Sequence, residues 1–529
     1  MQNNTTANLM KMAKDYIEIM DTTLRDGEQT SGLAFSESEK LNTAKLLLEE
    51  LNVDRIEIAS ARVSEGEFNA VKKTTAWAKS HNYLDRIEVL GFVDGTHSID
   101  WIRDAGARVI NLLCKGSLKH VKGQLKKSPE EHLEDVKNSI HYATSQGLKV
   151  NVYLEDWSNG MRHSQEYVHF LTKALANENV ERIMLPDTLG ILNHEEAFEF
   201  CKEMVDTYPE VHFDFHAHND YDLSTANTYA SLKAGIHGIH TTVNGLGERA
   251  GNVPLASVVG IILDHLKLKI NLNENKINKI SRIVETFSGI RIPTNKPLVG
   301  EYVFTQTCGV HADGDSKENL YFNDLTPERF GRVRKYALGK TAGKANIKMN
   351  LQELGIELDP ETMKKVTARV IELGDQKEDV TAEDLPYIIS DILKSEKIQD
   401  TIKILNYTLN LSNNLRPVAT LSIEIDGEAY QESSQGDGQY DAFMRALRKI
   451  YCKLGKNFPR LVDYVVTIPP GGRTDALVGA IITWENGRTF KTRGVDPDQT
   501  VAAIKATMKM LNITEQLETA KKQAETPTN

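Results

Sequence analysis

Two histidines one residue apart, His216 and His218 in Phe215-His216-Ala217-His218-Asn219-Asp220, put both imidazoles on one face of an extended strand. Two imidazoles joined by carboxylate and amide oxygens make a mixed nitrogen and oxygen site for Zn²⁺, Mn²⁺ or a similar divalent cation. Asp26, in Asp21-Thr22-Thr23-Leu24-Arg25-Asp26-Gly27-Glu28-Gln29, supplies the anionic ligand, and Asn252, in Asn244-Gly245-Leu246-Gly247-Glu248-Arg249-Ala250-Gly251-Asn252, adds a neutral oxygen. Arg25 stands beside that aspartate. Its planar, permanently charged fork suits a developing enolate or carbonyl oxygen, which favours acyl-transfer or aldol-type chemistry. Glu155 is expected to be the buried carboxylate that pairs with Arg25 or meets the acyl-CoA part, and Thr188 in Leu185-Pro186-Asp187-Thr188 to donate to a keto-acid carboxylate. A helix cap for Asp26 and a satisfied core histidine for His216 are the ordinary alternatives. Neither explains why both fall at the same predicted rim.

The elements that must bring these residues together are short apolar runs alternating with amphipathic stretches. The strand candidates are Ile17–Met20, Arg55–Ala59, Ile87–Phe92, Val109–Leu113, Val150–Leu154, Arg182–Leu185, His212–Phe215 and Gly238–Val243. Helical stretches such as Glu37–Leu51, Pro129–Gln146 and His194–Tyr208 lie between them. Eight such alternations imply parallel pairing with right-handed crossovers, and a closed (β/α)₈ TIM barrel of class α/β; an open doubly wound sheet is the other arrangement. In a barrel the chemistry sits at the C-terminal strand ends, where the Arg25–Asp26, His216–His218 and Asn252 segments fall.

The 529 residues predict more than one domain: a barrel over 1–270, helical linker subdomains over 271–396, a small α+β domain over 397–515 and a polar tail over 516–529. Thr408–Asp426 and Tyr464–Trp484 read as β-rich around a helix at Tyr440–Gly455, with a closing helix at Thr500–Leu511. The turns Gly436–Gly438 and Pro469–Gly472 are expected to present N–H groups to an amino-acid carboxylate, with Asp437, Tyr440 and Asp441 as contacts. A net charge of −11 argues against a nucleic-acid binder. Four scattered cysteines read as reduced thiols, no run is long enough to span a membrane, and the N-terminus carries no targeting pattern; the expected location is cytoplasmic.

Taken together, DTTLRDGEQTSG (21–32), HAHNDYDLSTAN (216–227), NGLGERAGN (244–252), GVHADG (309–314), LGKTAGK (338–344), GDGQYDA (436–442) and PPGGRTDALV (469–478) resemble the DRE-TIM metallolyase superfamily. The nearest group holds the 2-isopropylmalate, homocitrate and citramalate synthases. The resemblance implies condensation of acetyl-CoA with a 2-keto acid, with Asp26, His216, His218 and Asn252 as ligands of a divalent metal (Mn²⁺, Zn²⁺, Mg²⁺ or Co²⁺). It implies that Arg25, Glu155 and Thr188 position the keto acid and stabilise the enolate, and that His311 and Tyr321 of a helical linker move the acetyl-CoA proton. It also implies a homodimer and a C-terminal domain that senses leucine or isoleucine. A lyase reading shares the barrel and the metal motif, but lacks a reason for the GVHADG linker and the extra domain. A non-catalytic barrel would be expected to have lost Arg25, Asp26 or a histidine.

Leu90, Leu113 and Tyr153 are the strand-end candidates for facing the keto acid's side chain. Three bulky groups suit the methyl of pyruvate better than an isopropyl group. EIASARVSEGE (57–67) and YLEDWSNGMR (153–162) also look closer to the citramalate synthases. A dicarboxylic keto acid would need a cation, which Arg62 or Arg162 would have to supply.

Overall fold

The computed structural model describes residues 16–375, 380–393, 402–467, 478–487 and 489–525. Eight parallel strands close a barrel: β1 (Glu18–Asp21), β2 (Arg55–Ser60), β3 (Ile87–Phe92), β4 (Val109–Lys115), β5 (Lys149–Glu155), β6 (Arg182–Asp187), β7 (Phe213–Ala217) and β8 (Gly238–Thr241), with β8 paired back onto β1. Each strand falls on or within a few residues of its sequence candidate. The helices between begin where side chains can satisfy the first free N–H groups. Ser36, Ser128 and Asn193 each form a capping box ahead of Glu37–Lys45, Pro129–Ser145 and His194–Thr207. Outward strand residues such as Ile56, Val89, Ile110, Val152 and Phe215 pack beneath these helices.

The inward face is different. Arg55, Glu57, Glu88, Asn111, Asn151, Asp214 and His240 all point into the lumen and are buried. Burying charge is costly unless every group finds a partner, and here the partners are each other. Arg55 donates to Glu88 at 2.8 Å, to Asp214 at 2.5 Å and to Glu18 at 3.1 Å; Asn111 donates to Glu57 at 2.8 Å and to Glu88 at 2.9 Å. Above this polar layer, Leu90, Tyr153 and Met184 form a separate apolar cluster with Leu113 packed against it.

The chain divides into two compact units. The first runs through the barrel to Thr305 and includes Phe322–Arg334; the second holds Gln306–Tyr321 and the chain from Lys335 onward. In the second unit, helices Lys344–Glu353, Pro360–Asp375 and Leu385–Leu393 pack around Ile347, Leu351, Val366, Val370 and Leu385. The C-terminal part is richer in strands than a single β-α-β: three antiparallel strands and a helix, twice over. Ile402–Asn410, Val418–Ile425 and Glu428–Gln435 precede helix Gln439–Lys453; Arg460–Thr467, Val478–Glu485 and Thr489–Asp496 precede helix Gln499–Glu525. Ala419, Leu421, Ile423 and Ile425 alternate inward along the middle strand of the first sheet, as a half-buried strand requires. Among the described residues, no helix is long and apolar enough to cross a membrane.

Candidate metal centre and active site

β7 delivers the two histidines. His216 lies within the strand and His218 two residues on, so both rings enter the lumen at its C-terminal mouth. Asn252 reaches the same point because the loop after β8 folds back along β7: Asn219 N–H donates to Gly251 O at 2.9 Å and Val253 N–H to Ala217 O at 3.0 Å. Two glycines permit this return. A Cβ on Gly247 (φ 151°) would stand 2.3 Å from the Asn252 amide nitrogen, and one on Gly251 (φ 86°) 2.0 Å from Gly245 O. The loop is tied to β1 by Gly247 N–H donating to Thr30 Oγ1 at 2.8 Å, while Val243 N–H donates to Thr23 Oγ1 at 2.8 Å. The threonines of the first motif are therefore its braces.

Asp26, His216 and His218 bring one ligand atom each to a single point. The two Nε2 atoms lie 3.3 Å apart, and Oδ2 of Asp26 is 3.3 Å from the His216 nitrogen and 3.8 Å from that of His218. Donors about 2.1 Å from a shared cation stand about 3.0–3.4 Å apart in octahedral or tetrahedral geometry; the two 3.3 Å spacings fall in that range and the His218–Asp26 spacing is wider, closing by a small side-chain rotation around a divalent ion. Asn252 gives its amide N–H to Asp26 Oδ1 and Leu246 O, both at 3.1 Å, leaving its buried Oδ1 without a hydrogen-bond partner. That is a fourth donor of the expected kind. Burial alone would push Asp26 up, but the Arg25 guanidinium and the imidazoles outweigh it and hold the carboxyl well below its usual range. Burial pulls His218 down to about 4, which keeps it neutral and able to ligate.

Arg25 donates from Nη1 to Asp26 at 2.9 Å and from Nε to Glu57 Oε2 at 2.6 Å. Glu155 is not its partner. Glu155 turns to Lys115 on the neighbouring strand, and the carboxyl group under Arg25 is Glu57, which also accepts from Thr22 Oγ1 at 2.8 Å. The physical reason is strand depth. Glu155 ends β5 at the rim, whereas Glu57 lies within β2, close to the first strand's turn. Thr188 accepts Asp156 N–H at 2.9 Å, so its own O–H remains to donate. Arg62 pairs with Asp94 at 2.7 Å and Arg162 with Glu196 at 2.5 Å, so the cations considered for a dicarboxylic keto acid are already paired.

Sequence reasoning missed four residues here. Glu57 and His240 are ionisable groups inside otherwise apolar strands, a signal that was readable. Met184 occupies the inward phase of β6, two residues after Arg182, and completes the apolar cluster with Leu90, Leu113 and Tyr153. Lys40, buried in helix Glu37–Lys45, pairs with Glu28 and Glu67 at 2.6 Å each and donates to Leu24 O at 3.1 Å and Ile58 O at 3.2 Å. It thereby clamps the segment before Arg25 to the one after Glu57.

His311 and Tyr321 belong to the second compact unit, where their rings meet at 4.3 Å between centroids, tilted by 37°, and both are exposed. In the C-terminal domain, the Asp437 N–H expected to face a ligand instead donates to Asp441 at 2.9 Å. Arg445 pairs with Asp437 at 2.9 Å and with Asp441 at 2.8 Å, and the Tyr440 hydroxyl is bonded to Thr507 at 2.7 Å. The Pro469–Gly472 turn lies outside the described residues.

Residues 16–284 match the HMGL-like family model, 298–378 the homocitrate synthase post-HMGL domain-like model, and 379–514 the LeuA allosteric (dimerisation) domain model. Two relatives come from one organism, Methanocaldococcus jannaschii. Its (R)-citramalate synthase CimA is 32% identical over 94% of this chain and 99% of that protein. Its 2-isopropylmalate synthase is also 32% identical, over 94% of each chain.

Proposed function

Because the chain belongs to the HMGL-like family, among the acetyl-CoA:2-keto acid condensing enzymes related to citramalate and 2-isopropylmalate synthases, we propose that it joins the methyl carbon of acetyl-CoA to C2 of pyruvate. Hydrolysis of the thioester then releases CoA and (R)-citramalate, the first step of the pyruvate route to isoleucine. The observation that carries this reading is the packed apolar cluster of Leu90, Leu113, Tyr153 and Met184 beside the donor set. It offers a methyl group apolar contact and contains no cation to receive a second carboxylate.

Asp26, His216, His218 and Asn252 are the residues that would hold the divalent cation. When bound there, it supplies Lewis acidity to the keto carbonyl. The Arg25 guanidinium, held rigidly by Glu57 and Asp26, offsets negative charge on oxygen as the new C–C bond forms. Thr188 gives its free O–H to the keto acid's carboxylate. Glu155, paired with Lys115 at the rim, is assigned to contact with the acyl-CoA part. His311, in ring contact with Tyr321, is the acceptor of the methyl proton, delivered to the barrel of a second copy in a homodimer. The barrel over 1–270, linker over 271–396 and C-terminal domain over 397–515 then divide the work into chemistry, proton transfer and feedback. Isoleucine is the effector that fits this product, with Asp437, Tyr440 and Asp441 as its contacts.

A second reading, condensation with 2-oxoisovalerate, is favoured by the equal identity to the 2-isopropylmalate synthase. One assay separates them: CoA release from acetyl-CoA with pyruvate, 2-oxobutanoate, 2-oxoisovalerate and 2-oxoglutarate, with and without isoleucine and leucine. Pyruvate is expected to give the highest kcat/KM, by at least about tenfold over 2-oxoisovalerate. A preference for 2-oxoisovalerate overturns the citramalate assignment.

A further inference from the structure

The apolar wall beside the donor set has a tether that the chemistry above leaves unused. The Tyr153 hydroxyl lies 2.9 Å from Nδ1 of His240, and Nε2 of the same ring lies 3.1 Å from Oδ2 of Asp214. Asp214 is in turn fixed by Arg55, which donates to Oδ2 at 2.5 Å, and by His212 Nε2 at 3.1 Å from Oδ1. Both His240 and Asp214 are fully enclosed, and both stand inside barrel strands rather than on loops.

The hydrogen positions follow from the partners. A carboxylate paired with a guanidinium accepts at both oxygens, so the His240 nitrogen facing it carries hydrogen. Nδ1 is then the acceptor, and the Tyr153 O–H donates to it. The hydroxyl's remaining lone pairs face Arg25, whose Nη2 is 3.5 Å away. The His240 ring also stands edge-on to Tyr153, with centroids 5.4 Å apart at 79°, and His216 flanks Tyr153 at 6.1 Å and 87°. The tyrosine ring is therefore held at its far end by a hydrogen bond and at its side by two rings. The same ring packs with Leu90, Leu113 and Met184.

A phenol ring anchored only by packing can change rotamer when a larger group presses on it; one bonded through its hydroxyl to a buried, bonded histidine loses that bond in moving. We propose that His240 and Asp214 are specificity-positioning residues: through the Tyr153 hydroxyl they immobilise the wall that limits the side chain of the accepted 2-keto acid. This rests on the reading that Leu90, Leu113 and Tyr153 face that side chain. His240 and Asp214 touch the substrate nowhere in this scheme. They act through Tyr153, so removing them changes the ratio of substrates more than the rate with the best one.

The test compares kcat/KM for pyruvate, 2-oxobutanoate and 2-oxoisovalerate in the wild type, Tyr153→Phe, His240→Phe, the double variant and His240→Gln. Each Phe variant is expected to raise the 2-oxoisovalerate to pyruvate ratio by about tenfold, the scale on which an apolar pocket discriminates by a methylene or two. The double variant is expected to shift the ratio no further than either single change, because both cut the same tether. Glutamine can still donate to Asp214 and accept from Tyr153, so His240→Gln should bring the ratio back to within about threefold of wild type. A ratio unchanged in Tyr153→Phe, or separate shifts in the two Phe variants that multiply in the double variant, overturns the proposal. So does a uniform loss for all three acids in His240→Phe with no change in their ratio. If His240→Phe does not fold, Tyr153→Phe alone still decides, since an unchanged ratio there is fatal. If the wild type prefers an acid other than pyruvate, the citramalate reading falls, yet the non-additivity of the two Phe variants still decides the tether.

Discussion

The barrel lumen and the C-terminal core are packed by opposite means. In the C-terminal domain, Leu421, Ile423, Phe443, Leu447, Ile482 and Trp484 interlock, and the buried polar groups among its described residues are threonine hydroxyls and the Asn512 amide. Their bonds are local: the Trp484 indole donates to Thr492 at 2.8 Å, Thr507 and Thr514 donate to the carbonyls of Ala503 and Met510 at 2.9 Å, and Asn512 spans Ile402 N–H and O. The lumen instead buries Arg55, Glu57, Glu88, Asp214 and His240 in one continuous network that ends at Arg25, Tyr153 and the donor cluster. Hydrophobic packing of equal volume would stabilise as well or better. The lumen accepts charge because charged groups, unlike methyls, fix one another's orientation, and the site above needs fixed side chains.

The sharpest way to break this contrast is one truncation in each region. Arg55→Leu takes the buried cation from between Asp214 and Glu88 and is expected to destabilise the barrel by about 3–5 kcal/mol; it should also depress kcat, since Glu88 and Asn111 link Arg55 to the Glu57 carboxylate that holds Arg25. Leu421→Ala should cost the C-terminal domain about 2–5 kcal/mol through its cavity while leaving basal kcat unchanged. Urea unfolding followed by fluorescence, paired with CoA release, reads both. Equal catalytic loss in the two variants would dissolve the distinction.

A smaller effect tests the loop. Gly247→Ala places a methyl where the Asn252 amide stands and strains a positive φ. Metal affinity is expected to fall by about 10–100-fold, as for disturbed groups around other metal ligands. Titration with a chelator measures it, and unaltered affinity would show that Asn252 is dispensable.

The smallest effect is a pH slope. His132 is buried beside β4, accepts Lys115 N–H at 3.1 Å, and is pulled by burial from 6.5 down to about 4. The folded protein therefore binds fewer protons than the unfolded chain across that window, and stability falls as pH drops from about 6.5 towards 4. His132→Gln should flatten part of that slope, read as the change in urea midpoint between about pH 7 and 5. An unchanged slope would mean the ring is reached by solvent.

Much of this was legible from residue order. Buried strands separated by capped helices announce themselves through apolar runs, which is why all eight barrel strands could be located, and why Asp26, His216, His218 and Asn252 could be assigned to one rim. Partners across the lumen could not be read. Which inward residues meet depends on strand stagger and closure, so Arg25 was expected to pair with Glu155 when Glu57 lies beneath it. Met184 was passed over because its partners come from β3, β4 and β5. The doubled three-strand-and-helix pattern near the C-terminus was readable only at its hairpin turns, where Asp426-Gly427 and Asn486-Gly487 stand at equivalent places between the second and third strands.

The most direct measurement is the metal content of the purified chain, set beside CoA release. Wild type dialysed into metal-free buffer and reloaded with Mn²⁺ or Zn²⁺ is expected to bind one equivalent per chain and regain activity with pyruvate; His216→Ala and Asp26→Ala should bind none at the same concentration and lose activity by more than about a thousandfold. Full activity of the wild type after exhaustive chelation, or one tightly held equivalent in both variants, would contradict the account.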